Sequence, residues 1–365
     1  MQKDVIKKIV FKKVEKLEQE IRETPYHKGT EHYLGLLKAK AAKLKRELGE
    51  KEEKSSKGGA GYGVRKQGDA SCILIGPPSA GKSTLLNAIT NAKSKVGDYG
   101  FTTLNVIPGM MFYQGARIQI LDVPGLVTGA AKGKGGGRKI LSTARSADLV
   151  LLITDTERID WFEKAKEELY QNGVRLDLSK PKIKVVKKTR GGIEIIDPFS
   201  SFNRETVISV ALEFGLKNAQ ISFGEPINSI DEMIDVFAEN RAYLPCLELV
   251  SKADRLAKKA KTLDQRIFVS GVSGEGLDRL KKEIWQSLGL IRIYLKKERT
   301  KEPDFGEPLI LKKGGRIEDI TAKVSSELTE RRTAALIWGP GAKFPGQKVS
   351  LKHPVFDQMI VSLVE

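Results

Sequence analysis

The sequence predicts an α/β protein, a doubly wound sheet with a helical arm before it and small modules inserted in and appended to it. Two observations carry this. An apolar, strand-like run, Cys72-Ile73-Leu74-Ile75, empties into Gly76-Pro77-Pro78-Ser79-Ala80-Gly81-Lys82-Ser83, and the helix-like Thr84-Leu85-Leu86-Asn87-Ala88-Ile89 follows. The later apolar runs Ile118-Gln119-Ile120-Leu121, Cys246-Leu247-Glu248-Leu249-Val250 and Ile267-Phe268-Val269 each end in a polar turn. Open α/β sheets bind ligands at such carboxyl ends of strands.

From the first residues onward, Ile6, Val10, Val14, Leu17 and Ile21 recur at helical spacing, and Pro25 and Gly29 stop the pattern. Thr30 is the expected cap of a second helix carrying Tyr33, Leu37, Ala41, Leu44 and Leu48. Residues 1–56 are therefore an expected basic helical hairpin. Residues 57–69 form a linker, because 54–69 hold Ser, Lys and five glycines. The sheet domain takes 70–172 and 242–290, with a helix near 161–172. The stretch 173–241 exceeds what its β–α rhythm needs. With short strands, Gly191-Gly192 and a helix near 206–214, it reads as an inserted α+β module. Residues 291–365 form a last unit: strands at 291–295, 309–311, 334–338, 348–351 and 359–364, and an amphipathic helix over 317–328. A small sheet gripping that one helix is its natural packing.

Gly76 through Ser83 is a phosphate loop in its strand–loop–helix context. Main-chain amides and a helix N-terminus favour anions there. Gly76, Pro78, Ser79, Ala80, Gly81 and Thr84 line the expected cradle. Lys82 would reach the β- and γ-phosphates, and Ser83 would hold Mg²⁺. Asp122 in Asp122-Val123-Pro124-Gly125 would join the Mg²⁺ shell through water, and the Gly125 N–H would face the γ-phosphate. Between them, Phe101-Thr102-Thr103-Leu104 offers a hydroxyl to close the shell; spacing does not choose between the two threonines, and Thr103 is favoured. Ser251-Lys252-Ala253-Asp254 follows a buried-strand pattern. Asp254 would accept from guanine N1–H and N2–H₂, a donor pair adenine lacks, and the Lys252 stem would cover the purine. Backbone N–H groups of Ser270, Gly271 and Val272 would face guanine O6.

The chain of 365 residues carries a net charge of +17. Residues 1–68 hold 18 Lys/Arg against 10 Asp/Glu, and Lys180 to Arg190 place six cations in 11 residues. Such stripes suit a phosphate backbone, so RNA is an expected partner. No run of about 20 apolar residues is present, which argues against a membrane span. No apolar signal region follows Met1, and the two cysteines, Cys72 and Cys246, fall in strand patterns. The expectation is a cytoplasmic protein with reduced thiols.

These motifs together resemble the developmentally regulated GTP-binding proteins, among the Obg-like translation-factor GTPases. Thr24-Pro25 and Lys28-Gly29-Thr30-Glu31-His32-Tyr33-Leu34-Gly35 are similar to that family's helical hairpin. Gly68-Asp69-Ala70, Phe101-Thr102-Thr103-Leu104, Gly133-Lys134-Gly135 and Tyr243-Leu244-Pro245-Cys246 match as well, and Ala334-Ala335-Leu336-Ile337-Trp338-Gly339 resembles its ubiquitin-like, β-grasp TGS module. The resemblance implies a P-loop GTPase, Mg²⁺, association with ribosome or RNA in translation, and, in eukaryotic relatives, a stabilising protein partner. The chain departs from the pattern at Ser251, where relatives carry Asn. It departs again at Ser79, where cation-dependent relatives carry Asn.

Leu126 follows Gly125, where many small GTPases place a water-orienting Gln. Intrinsic hydrolysis should be slow and accelerated by K⁺ or a partner surface. Two other readings compete: an RNA-binding scaffold with a structural nucleotide site, and an ATPase admitted by Ser251.

Overall fold

The computed structural model describes residues 2–55, 67–90, 107–123, 142–199, 202–238, 241–255, 266–296, 302–324 and 332–364. Along the chain run α1 (Gln2–Glu23), α2 (Glu31–Ser55), β1 (Ala70–Ile75), α3 (Lys82–Ile89), β2 (Ile107–Tyr113), β3 (Ala116–Asp122), β4 (Leu149–Asp155), α4 (Trp161–Gln171), β5 (Val174–Leu176), β6 (Ile183–Lys187), β7 (Ile193–Ile196), α5 (Arg204–Glu213), β8 (Ala219–Phe223), α6 (Ile230–Ala238), β9 (Ala242–Leu244), β10 (Cys246–Ser251), β11 (Ile267–Phe268), α7 (Leu277–Ser287), β12 (Leu290–Leu295), β13 (Leu309–Lys312), α8 (Ile317–Lys323), β14 (Ala334–Trp338), β15 (Gln347–Ser350) and β16 (Met359–Val364). Two compact units result. One is Met1–Gly61, Ala130–Leu141 and Leu169–Tyr243; the other is Tyr62–Gly129, Ser142–Glu168 and Leu244–Glu365.

In the second unit, a six-stranded sheet has the order β11-β10-β4-β1-β3-β2. β1 runs parallel to β3 and β4, and β10 parallel to β4 and β11; β2 alone is antiparallel, along β3. Strands covered on both faces read as continuous apolar runs, and β1 and β4 are buried along their whole length. Leu85, Leu86 and Ile89 of α3 and Leu280 and Ile284 of α7 share one core with Cys72, Leu74, Leu151 and Leu249. Because the five parallel strands share one direction, their carboxyl ends line a single edge.

The C-terminal sheet of the same unit is ordered β13-β12-β16-β14-β15. β12 and β16 are parallel; the other neighbours are antiparallel. Ile317 and Ile320 of α8 bury against this sheet with Ile293, Ile337 and Val361, the β-grasp expected. Leu290 and Ile310 instead join the core around Cys72. Lys312 bonds Asp148 at 2.8 Å beside them. α8 ends at Lys323, with Val324 already extended, so the expected helix to 328 is shorter among the described residues.

In the first unit, the three-stranded sheet β6-β8-β7 packs one face on α5 and α6. Asn203 caps α5, its side chain accepting from the Glu205 N–H. The helical hairpin docks on this module. Ala39 of α2 is fully buried among Val207, Val210, Ile230 and Met233. Lys38 pairs with Asp231 at 2.7 Å. A Cβ on Gly35 would lie 3.2 Å from Thr206 Cγ2, so the two helices approach closely. The Thr30 hydroxyl donates to Pro25 O at 2.7 Å and accepts from the His27 N–H at 3.1 Å. It therefore ties the turn between the helices and does not cap α2. Arg175, buried, forms a forked pair with Asp235, which also accepts from Arg241 Nε at 2.6 Å. Cys72 is buried, while Cys246 is only half-buried at the start of β10; both are free thiols. No helix among the described residues is long and apolar enough to cross a membrane.

Candidate nucleotide-binding site

The phosphate loop joins the end of β1 to the start of α3. A Cβ on Gly76 would sit 2.3 Å from Ile153 O, so only glycine lets the loop leave the sheet beside β4. Gly81 takes the left-handed φ of 78° and no side chain caps α3 behind it. The first-turn amides thus lack a side-chain acceptor, as an anion-binding helix start requires. Ser79 also has positive φ, 62°, a conformation that costs a non-glycine residue. Pro78, Ser79, Ser83 and Thr84 are exposed, and Ala80 is buried beneath them. Lys82 Nζ donates to Gly76 O at 3.0 Å and Pro77 O at 2.9 Å, so the ammonium lies over its own loop. Burial lowers the Lys82 pKa, and the Asp122 carboxylate opposes that shift.

Asp122, at the end of β3, is almost fully buried. Its Oδ2 accepts from the Ser83 hydroxyl at a long 3.4 Å. Its Oδ1 is buried with no hydrogen-bond partner among the described residues. Burial pushes the Asp122 carboxyl above its ordinary range, against the pull of Lys82 and Ser83. An orphaned carboxylate oxygen beside a hydroxyl is a pair of oxygen donors that fits a hard divalent cation. Thr103 and Gly125 lie outside the described residues, as do Thr102, Leu126 and Gly133 to Gly135.

The segment expected to read the base reaches the same edge. Ser251 ends β10, is buried, and its Oγ lies 3.7 Å from the point a Gly81 Cβ would occupy. That hydroxyl has no hydrogen-bond partner among the described residues. Lys252 takes φ 59°, and Asp254 is exposed in the 3-10 turn Ala253–Arg255. A Cβ on Gly271 would be 2.9 Å from the Thr84 carbonyl group, so this loop presses on the first turn of α3. Ser270 is buried, and its hydroxyl accepts from the N–H groups of Val272 and Ser273 at 3.3 and 3.1 Å. Two amides of this loop thereby close its own turn. The Val272 side chain is 85% exposed.

Two residues that sequence reasoning passed over join these parts. Asp155, at the end of β4, is buried and accepts from Arg158 Nη2 at 2.6 Å, Arg158 Nε at 3.1 Å and Lys252 Nζ at 3.0 Å. Arg158 Nη1 donates to Pro78 O at 3.2 Å. Arg158, then Lys252, holds the Asp155 carboxyl far below the usual carboxylate range against the cost of its burial. The available signal was an Asp closing the apolar run Leu149 to Thr154, as Asp122 closes its own run.

Comparison with known proteins agrees with this geometry. Residues 71–188 match a family described as 50S ribosome-binding GTPase, 190–290 the C-terminal region of that domain, and 291–365 the TGS domain. An uncharacterized GTP-binding protein of Methanocaldococcus jannaschii is 42% identical over 97% of this chain and 93% of its own length. GTP-binding protein 1 of Schizosaccharomyces pombe is 41% identical over 97% of this chain and 99% of its own. Developmentally-regulated GTP-binding protein 2 of Homo sapiens is 37% identical over 98% and 99%. With full-length identity of this order, a strand-edge phosphate loop and a C-terminal TGS domain, the chain belongs to the developmentally regulated GTP-binding protein family of Obg-like GTPases.

Proposed function

We propose that this GTPase is an Mg²⁺-dependent switch that hydrolyses GTP to GDP and phosphate and acts, associated with the ribosome or RNA, in translation in the cytoplasm. The observation that carries the reading is the meeting of two loops: Ser251, 170 positions after Gly81 in the sequence, lies 3.7 Å from where a Cβ on Gly81 would stand, at the edge where β1 and β10 end. Amides of 76–84 would hold the phosphates. Lys82 would exchange its loop carbonyls for β- and γ-phosphate oxygens. Ser83 and Asp122, with Thr103, would hold Mg²⁺, which neutralises charge on the β- and γ-oxygens when bound. Asp254 would select guanine, Lys252 would cover the ring, and Ser270, Gly271 and Val272 would border it. The Gly125 N–H would sense the γ-phosphate, and switching would follow from loops ordered by it.

Turnover should be slow alone, because Leu126 has no group to orient water, and faster with K⁺ or a docked partner. Equal rates in KCl and NaCl at matched ionic strength would discard the cation. RNA docking is supported by the outer face of the β6-β8-β7 sheet. Lys184 and Val186 of β6 and Ile196 of β7 are exposed there, with Lys187 and Arg190 exposed beyond them. Lys184, Lys187 and Arg190 make no ion pair among the described residues. Nucleotide-dependent co-sedimentation with ribosomes, comparing GDP with a non-hydrolysable GTP analogue, tests the whole reading. Hydrolysis with no ribosome or RNA binding in either state removes the RNA role. RNA binding with no hydrolysis under any condition favours a scaffold. The resemblance to eukaryotic relatives also implies a stabilising protein partner.

A further inference from the structure

We propose that Arg158 and Asp155 are positioning residues that brace the phosphate loop against the base-reading turn, making a connection that the short side chain of Ser251 does not make. This rests on the guanine-nucleotide reading of the site. The side chain at 251 faces the phosphate loop: its Oγ is 3.7 Å from the would-be Cβ of Gly81. It is buried and bonds to nothing among the described residues. The serine hydroxyl makes no bond to the loop there, whereas the terminal atoms of a side-chain amide stand one bond farther from the backbone.

A hydrogen-bonded route does join the same two segments. It runs from Pro78 O to Arg158 Nη1 at 3.2 Å, from the Arg158 fork to both oxygens of Asp155, and from Asp155 Oδ2 to Lys252 Nζ at 3.0 Å. Each link is anchored in a different strand end: Pro78 after β1, Asp155 on β4, Lys252 after β10. The planar guanidinium suits the task, because it holds a carboxylate with two nitrogens and still offers a third to a carbonyl. Asp155 in turn fixes the head of Lys252, which lies at a positive φ of 59° and whose stem is to cover the purine. Arg158 therefore sets the spacing between the phosphate-binding amides and the purine face. Such placement acts through pre-organisation, since a loop already in its bound geometry loses less freedom when ligand arrives.

The test uses the full chain and a fluorescent GDP, with Arg158→Ala, Arg158→Lys, Ser251→Asn and the Arg158→Ala/Ser251→Asn double variant. Arg158→Ala should speed GDP dissociation about tenfold, the effect of one charge-assisted hydrogen bond. Arg158→Lys should recover little of it, because a single ammonium cannot serve both Asp155 and Pro78. Ser251→Asn should slow dissociation in the Arg158→Ala background by several-fold more than in the wild type, because it supplies the missing tie directly. A purely structural arginine would show no such rescue. Should Arg158→Ala fail to fold, the isosteric Asp155→Asn takes its place and should also speed dissociation. Dissociation unchanged by either variant, or equal effects of Ser251→Asn in both backgrounds, overturns the brace. Wild-type protein that fails to bind GDP overturns the nucleotide reading itself, a separate and recognisable outcome.

Discussion

In the proposed mechanism, Lys82 is the residue on which the chemistry depends most directly. Its ammonium is held by two loop carbonyls, 2.9 and 3.0 Å away, which a phosphate would replace. Lys82→Ala should weaken GTP binding at least a hundredfold, read by fluorescent-nucleotide titration, since a charge-assisted contact to phosphate is lost in a partly buried site. Asp254→Asn should erase the GTP-over-ATP preference in a competition assay; retained selectivity would take Asp254 out of the base site. Asp155 makes a prediction about pH. Its folded-state pKa is depressed, chiefly by Arg158, so its contribution to stability is complete above the ordinary Asp pKa of about 4 and fades as pH falls below it. Asp155→Asn should therefore cost about 1–2 kcal/mol at pH 7 and progressively less near pH 3, by urea midpoints at both pH values. The cost is modest because the Arg158 side chain is 39% exposed, so solvent screens the pair.

At the scale of elements, the seam between α2 and the inserted module is the most consequential packing outside the site. α2 was legible as a helix from Leu37, Ala41, Leu44 and Leu48, but that periodicity does not mark the face that meets the inserted module. Ala39, two positions and about 200° around the helix from Leu37, is fully buried against α5 and α6. Ala39→Lys should therefore destabilise the first unit by about 3 kcal/mol, because it forces a charge into an apolar seam, and thermal denaturation would register it. Thr30 shows the same limit in miniature. A Thr before a helix reads as a cap, yet this hydroxyl is engaged inside the turn, accepting from the His27 N–H and donating toward Pro25 O and His27 O. The carboxyl edge of the sheet, by contrast, was foreseeable because each strand announced itself by an apolar run ending in a polar turn.

At the scale of the molecule, the TGS module is not independent of the domain before it. Leu290 and Ile310 are buried in the same core as Cys72 and Leu151. Ile310→Ala should cost about 2–5 kcal/mol, the usual penalty for hollowing a core. Calorimetry should show the transition containing the nucleotide site shifting with it; a shift confined to a separate TGS transition would contradict shared packing. The charge of +17 acts at this scale too. Removing Lys184, Lys187 and Arg190 together should lower the salt dependence of single-stranded RNA binding by a slope of about 2, measured by titration across salt concentrations.

Local order along the chain was enough to reveal the phosphate loop, the strand rhythm and the family, because each depends on residue types at short spacing. Three arrangements needed the folded chain: the brace of Arg158 and Asp155 between loops, the seat of the hairpin on the inserted module, and the sharing of one core by the GTPase sheet and the TGS strands. Each joins residues far apart in sequence, and no spacing rule encodes which buried faces or charges will meet once burial of apolar surface has brought the elements together.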